Sequence, residues 1–197
     1  MSGAGNPLIQ ECVVTTQSAA GLVHVAPIGL IQDGDGWIIA PFRPSTTLDN
    51  LAATGCAVAN YCDDVRIFAG CLTGRRDWPS RPASRIAGAV LEAALAHAEL
   101  EVEEVREDAL RPRFRCRVVH RESHAPFEGF NRAQAAVVEA AILVSRLHML
   151  PPEKVAREIA YLRIAVGKTA GPREWQAWDW LMEKIEAHMR EQKAETP

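Results

Sequence analysis

No run of about eighteen consecutive apolar residues occurs in this chain, so no segment of it reads as a membrane-crossing helix. The start, Met1-Ser2-Gly3-Ala4-Gly5-Asn6, lacks the basic residues and apolar core of a secretory signal, and a cytoplasmic protein is expected. Excess positive charge is also missing. The 22 Lys and Arg are outnumbered by 25 Asp and Glu, for a formal net charge of -3. Non-specific nucleic-acid binding leaves a basic footprint, so neither nucleic acid nor membrane is expected as a partner. Paired Cys-x-x-Cys spacing is absent as well. Cys12, Cys56, Cys62, Cys71 and Cys116 are odd in number and lie mostly in strand-like runs, which suits reduced structural thiols. What the chain does have is 197 residues, 48% of them hydrophobic. That is enough to bury a sizeable core as one domain, or as a barrel with a smaller appended module.

Two apparent motifs fail on inspection. His120 and His124 stand four apart, but Arg121 occupies the place where a helical metalloprotease pattern needs Glu, and the segment runs from a strand into the Ala125-Pro126-Phe127-Glu128-Gly129 loop. No metal site is expected. Gly167-Lys168-Thr169 resembles the end of a nucleotide-binding loop, yet Leu162 sits where the first glycine belongs and a helix, not a strand, precedes it.

The informative part lies between residues 13 and 61. Val13-Val14-Thr15-Thr16 and Leu22 to Ile31 are β-branched runs joined by Ser18-Ala19-Ala20-Gly21, a hairpin signal. Asp33-Gly34-Asp35-Gly36 turns a second hairpin into Trp37-Ile38-Ile39-Ala40. Then comes Arg43-Pro44-Ser45-Thr46-Thr47-Leu48-Asp49-Asn50-Leu51. Arg43 offers a planar, permanently charged fork, and Pro44 disfavours helix before it. Ser45, Thr46 and Thr47 supply hydroxyls and free N–H groups where Leu48 and Leu51 open a helical face. A helix start of this kind can cradle a phosphate through its unsatisfied donors and the positive end of its dipole; a capped helix that binds nothing has the same sequence. Gly55 to Tyr61 is a further strand, carrying the amide of Asn60.

Beyond Asn60, alternation of Val65, Ile67, Ala69, Cys71 and Thr73 predicts another strand. Arg75 and Arg76 at its end suit either a ligand anion or solvent, and Trp78 either a planar ring or the barrel wall. Ile86, Val90, Leu91, Ala94 and Leu95 predict a helix over 84–98. The acidic stretch 98–107 and the basic stretch 111–121 read as strands whose opposed charges favour pairing with each other. From Asn131 the period is helical: an Ala-rich stripe from Ala133 to Leu147, a break at Pro151-Pro152, and a second helix through Val155, Ile159 and Leu162. After Gly171-Pro172 a third helix carries Trp175, Trp178, Leu181 and Ile185. The Ala-rich face suits close packing, within the subunit or across a dimer.

The order strand, Gly-containing turn, strand with Ala26-Pro27-Ile28-Gly29, hairpin, Arg-Pro-Ser-Thr-Thr, short helix, strand ending at Asn60 resembles the flavin reductase-like split β-barrel family. More narrowly it resembles the group described as domain of unknown function 447, a likeness that extends to Phe130-Asn131-Arg132-Ala133 and Gly167-Lys168-Thr169-Ala170-Gly171. That resemblance implies an α+β fold, a mainly antiparallel split β-barrel of FMN-binding type over residues 5–124 followed by a C-terminal helical region over 125–192. It also implies a homodimer with FMN near the subunit interface. Arg43, Ser45, Thr46 and Thr47 would hold the phosphate, and Ala26, Pro27, Ile28 and Asn60 would frame the ring. His24, Asn131, Arg132 and Lys168 are the candidates for supporting or substrate contacts. The function it implies is an FMN-dependent oxidoreductase of a small molecule, with a contextual link to pterin one-carbon chemistry. Flavin N5 carries the hydride in such an enzyme, so no protein acid or base is obligatory and no catalytic residue is assigned. An FMN carrier or sensor without turnover, and a ligand-free interaction barrel, stay open beside it.

Overall fold

A computed structural model of the chain describes residues 7–195. The N-terminal segment Met1-Asn6, and with it the expected barrel start at residue 5, lies outside the described residues. Two compact units emerge: one runs to Cys62 and resumes over Trp78–Pro126, and the other joins Asp63–Asp77 to the chain from Phe127 onward.

In the first unit, β1 (Ile9–Gln17), β2 (Val23–Asp33), β3 (Gly36–Ile39), β4 (Cys56–Tyr61), β7 (Ala96–Arg106) and β8 (Arg113–Ser123) close a barrel in the order β1-β2-β3-β8-β7-β4, every pairing antiparallel. Alternation sends Cys12 and Val14, Ala57 and Ala59, Ala98 and Leu100, and Phe114 and Cys116 into one core with Leu30 and Ile39. Helix α1 (Thr46–Thr54) adds Leu48 and Leu51 to that core, and Gly55, at φ 65°, ends it in the left-handed conformation that only glycine adopts freely. The other face of β1 is buried too, since Val13 and Thr15 are fully enclosed. The short hairpin of β5 (Ser80–Pro82) and β6 (Ala89–Leu91) covers it, with the Thr15 hydroxyl bonded to the Ala89 carbonyl. Burial on both faces is why Cys12–Thr16 reads as an unbroken run. On the solvent side, β7 and β8 pair as their charges predict, Glu101 with Arg117 and Glu103 with Arg115.

Two elements differ from the sequence reading. Residues 66–72 form a helix, α2 (Arg66–Leu72), not a strand. Val65, Ala69 and Leu72 stand at a helical spacing that competes with the alternating one, and they pack into the core of the second unit. Gly74 at φ 89° and the bond from Arg75 N–H to the Gly70 carbonyl (2.8 Å) stop it. Conversely, 84–98 is not a helix. Four of its backbone donors are taken by side chains, and the rest of the stretch feeds β6 and the start of β7: Glu99 receives the N–H groups of Ser84, Arg85 and Ile86, and Asn60 receives that of Leu91. Gly88 lies against the barrel so closely that a Cβ there would stand 3.0 Å from Val58 Cγ2.

The second unit packs α2 with α3 (Arg132–Ser145), α4 (Pro152–Thr169) and α5 (Pro172–Glu195). The Ala-rich stripe of α3, from Ala133 through Ala136, Val137, Ala140 and Ala141 to Val144, is buried against Val155, Val166, Trp178, Leu181 and Ile185, so its close packing is made within the subunit. Asp64 grips Arg66 with both carboxylate oxygens, and its pKa stays below the ordinary range because those bonds outweigh the upward push of burial. No helix among the described residues is long and apolar enough to cross a membrane.

Candidate functional site

The cradle expected between Arg43 and Leu51 is a helix start. Ser45 is the N-cap: its backbone is extended (φ -159°, ψ 146°), and its Oγ accepts the N–H of Leu48 at 3.3 Å. The first-turn N–H groups of Thr46 and Thr47 have no acceptor within the helix, and Thr46 is exposed while Thr47 is buried. Arg43 is less free than its sequence suggests. Its Nη2 sits 2.6 Å from Glu107, its Nε donates to the Asp108 carbonyl at 3.3 Å, and its backbone N–H bonds Leu110. The neighbouring Arg111 bonds the Ala40 carbonyl and lies over Phe42, 4.3 Å from the ring centroid. Two guanidinium groups therefore gather around the strand end that leads into α1.

Strand β1 links this helix to the residues expected at the ring. Ala26, Pro27 and Ile28 are half-buried on β2 opposite Val14, Val13 and Cys12. His24 is also half-buried and lies opposite Thr16, whose hydroxyl receives the amide of Asn50 from α1 at 3.0 Å. Asn60 flanks β1 from the other side, opposite Val13. It is fully buried, and its carboxamide is engaged throughout: Nδ2 donates to Val13 O, Thr15 Oγ1 and Val58 O at 3.1, 3.2 and 3.3 Å, and Oδ1 accepts Leu91 N–H at 2.8 Å. That amide ties β1, β4 and β6 together. The fit to an anionic cofactor rests instead on α1: a capped start, an outward Thr46 hydroxyl and spare first-turn donors match what a phosphate ester needs.

Asn131, Arg132 and Lys168 belong to the helical unit. Asn131 caps α3 through Ala133 N–H (2.7 Å) and donates to the Thr169 carbonyl (3.0 Å); Arg132 and Lys168 are exposed, the latter in the last turn of α4. Arg75 stacks on Trp180 at 4.1 Å. None of the five cysteines is in a disulfide, and burial raises the Cys116 thiol to about 12, that of a packed and inert group.

One cluster was invisible in the sequence. His97 on β7 is fully buried, and burial lowers its pKa against the opposing pull of Glu99. Glu99 is equally buried; burial pushes its pKa up, but the donors from Ser84, Arg85 and His97 hold it below the ordinary carboxylate value. In the sequence the pair is only a histidine and a glutamate two apart in an acidic strand.

A family model described as the N-terminal domain of a protein of unknown function (DUF447) matches residues 10–125, and one described as protein of unknown function (DUF447) matches residues 131–183. The chain belongs to the DUF447 family. Among solved structures, this DUF447 chain is similar to an FMN-bound DUF447 protein, MM1853, from Methanosarcina mazei: TM-score 0.77, 20% identity, 89% of this chain and 94% of that one covered. It is similar also to the 2-nitrobenzoate 2-nitroreductase NbaA of Pseudomonas fluorescens (TM-score 0.50, 18% identity, 62% and 67% covered). A third is BorF, the flavin reductase component of a bacterial two-component tryptophan halogenase (TM-score 0.51, 14% identity, 61% and 84% covered). No curated protein matches the chain. At these identities the likeness establishes the fold: an α+β protein whose closed six-stranded antiparallel barrel is of the split-barrel type, followed by C-terminal helices.

Proposed function

We propose that this DUF447 protein binds FMN and acts as an oxidoreductase of the flavin-reductase type on a small molecule. The observation that carries the proposal is the start of α1, where an N-cap serine, an exposed threonine hydroxyl and unpaired first-turn N–H groups stand beside the barrel strands in a family with an FMN-bound member. Ser45, Thr46 and Thr47 bind the phosphate, with Arg43 released from Glu107 to join them. Ala26, Pro27 and Ile28 line the ring from β2, with His24 at the same strand's edge. Asn60 acts from behind, fixing β1 against β4 and β6. Bound FMN supplies hydride or electron transfer; the protein's own residues bind it, orient it and exclude water from one side.

The reading includes a homodimer with FMN near the interface, supported by apolar side chains left exposed on α4, Tyr161 and Ile164. Asn131, Arg132 and Lys168 stand as candidate substrate contacts, and a pterin-like one-carbon carrier is the first substrate class to screen. Free thiols suit a reducing cytoplasm. The test is the visible spectrum of the purified protein after FMN loading and gel filtration, followed by NADH and NADPH oxidation with and without pterin-like acceptors. Retained flavin with reductant turnover supports the enzyme reading. Retained flavin with no turnover on any reductant leaves a carrier or sensor, and a colourless protein removes the proposal.

A further inference from the structure

The outer face of β7 and β8 gathers three imidazoles and two carboxylates that the FMN reading does not use. Alternation turns Ala98 and Leu100 into the barrel and His97 and Glu99 out of it. The register sets His97 opposite Glu122 and Glu99 opposite His120, and it shifts between Glu99 and Leu100, a local irregularity of the kind that re-aims side chains. The chain leaving β8 is then pinned by the N–H of His124 on the Leu95 carbonyl (2.7 Å), and the His124 ring lies nearly parallel to that of His97. The two centroids are 5.0 Å apart and the planes differ by 8°. His120 meets His97 edge-on, with centroids 5.7 Å apart.

We propose that His97, Glu122 and His124 form a binding site for a divalent transition-metal ion of the zinc class, with Glu99 orienting His97 from behind. His97 Nε2 lies 3.5 Å from Glu99 Oε1, and Glu99 is locked by Ser84 N–H (2.7 Å), Ser84 Oγ (3.0 Å), Arg85 N–H (2.7 Å) and Ile86 N–H (3.0 Å). A fixed anion at Nε2 places the ring proton there and leaves the lone pair on Nδ1. Histidine backed by carboxylate in this way is the usual outer arrangement at zinc. Nδ1 of His97 lies 2.8 Å from Nε2 of His124, and one ligand atom from each of His97, Glu122 and His124 falls within 4.8 Å of the other two. Zinc–nitrogen bonds of about 2.0–2.1 Å in a tetrahedral site separate ligand atoms by about 3.3 Å. The imidazole pair therefore opens by roughly half an ångström and Glu122, a half-exposed side chain, closes in. Glu122 is already placed between the histidines, 3.7 Å from His120 Nε2 and 3.9 Å from His124 Nδ1. Three protein ligands leave a fourth position for water or a substrate group. The opposing charge is Arg81, whose Nη2 lies 3.2 and 3.1 Å from the two His124 ring nitrogens; it is exposed and free to swing out.

The experiment is titration of the full-length, chelator-treated protein with zinc chloride by calorimetry, with cobalt(II) chloride as a spectroscopic replacement. Its readout is independent of flavin, so it stands or falls apart from the FMN reading. One equivalent per chain is expected, with tetrahedral cobalt bands. His124→Ala and Glu122→Gln, both at partly exposed side chains and therefore tolerable to the fold, should each weaken zinc about tenfold or more. Arg81→Ala should bind at least as tightly as the wild type. No saturable zinc uptake, or uptake unchanged in both His124→Ala and Glu122→Gln, overturns the proposal.

Discussion

Replacing Asn60 with Ala separates a residue that builds the wall from one that touches the ligand. The substitution removes the acceptor of Leu91 N–H, and Leu91 is 1% exposed, so that donor is left buried and unpaired. Such a loss costs about 1–3 kcal/mol. The carbonyls of Val13 and Val58 and the hydroxyl of Thr15 lose a shared donor as well. Carbonyls tolerate under-satisfaction better than N–H groups do, so the total should be about 2–4 kcal/mol. In urea, with a slope of about 1–3 kcal/mol per molar, the unfolding midpoint of the flavin-free protein falls by about 1–2 M. Asn60→Asp keeps an acceptor for Leu91 but turns a second oxygen onto three oxygens, and should be no milder. A midpoint for Asn60→Ala that barely moves, together with lost FMN affinity, would refute the reasoning by showing that the amide faces ligand.

Further consequences are open to measurement. If phosphate competes with Glu107 for Arg43, Glu107→Gln frees the guanidinium and tightens FMN by up to about fivefold, the scale of an exposed ion pair; unchanged affinity would mean that Arg43 stays out of the site. Gly55→Ala forces a side chain onto φ 65° in otherwise open space and should cost about 1 kcal/mol in denaturant, with no change in FMN affinity. Asp64 has a folded-state pKa below its unfolded value near 4. Its contribution is therefore fully present above about pH 4 and lost as pH falls through the lower folded value. Asp64→Asn should flatten the acid side of the thermal-stability profile while lowering the melting temperature at neutral pH; an acid limb identical to wild type would contradict that sign.

Legibility in the sequence tracked locality. The hairpins, the α1 start at Ser45 and the break at Pro151-Pro152 are written in short-range chemistry and sit where the pattern put them. The segment 65–73 misled because Val65, Ala69 and Leu72 satisfy a 3.6-residue period as readily as its alternate residues satisfy a two-residue one, and long-range packing chose between them. The 84–98 stretch has a helical stripe, but the donors of Ser84, Arg85, Ile86 and Leu91 belong to Glu99 and Asn60, acceptors 15 and 31 residues away in the bonds to Ser84 and Leu91. The candidate site divides along the same line. The helix-start residues were recognisable from composition alone, whereas the closeness of His97 to His124 depends on the pairing register of β7 with β8 and on the turn after Ser123, neither of which periodicity encodes.

The most direct measurement is an FMN titration of the flavin-free protein followed by fluorescence quenching, comparing wild type with the Thr46→Val, Thr47→Val double substitution. Saturation at one FMN per chain is predicted, with the variant folded but weakened by about tenfold, the loss of two hydroxyl contacts at little change in volume. Absence of saturable binding in the wild type, or equal affinity in the variant, would contradict the assignment of the α1 start as the phosphate site.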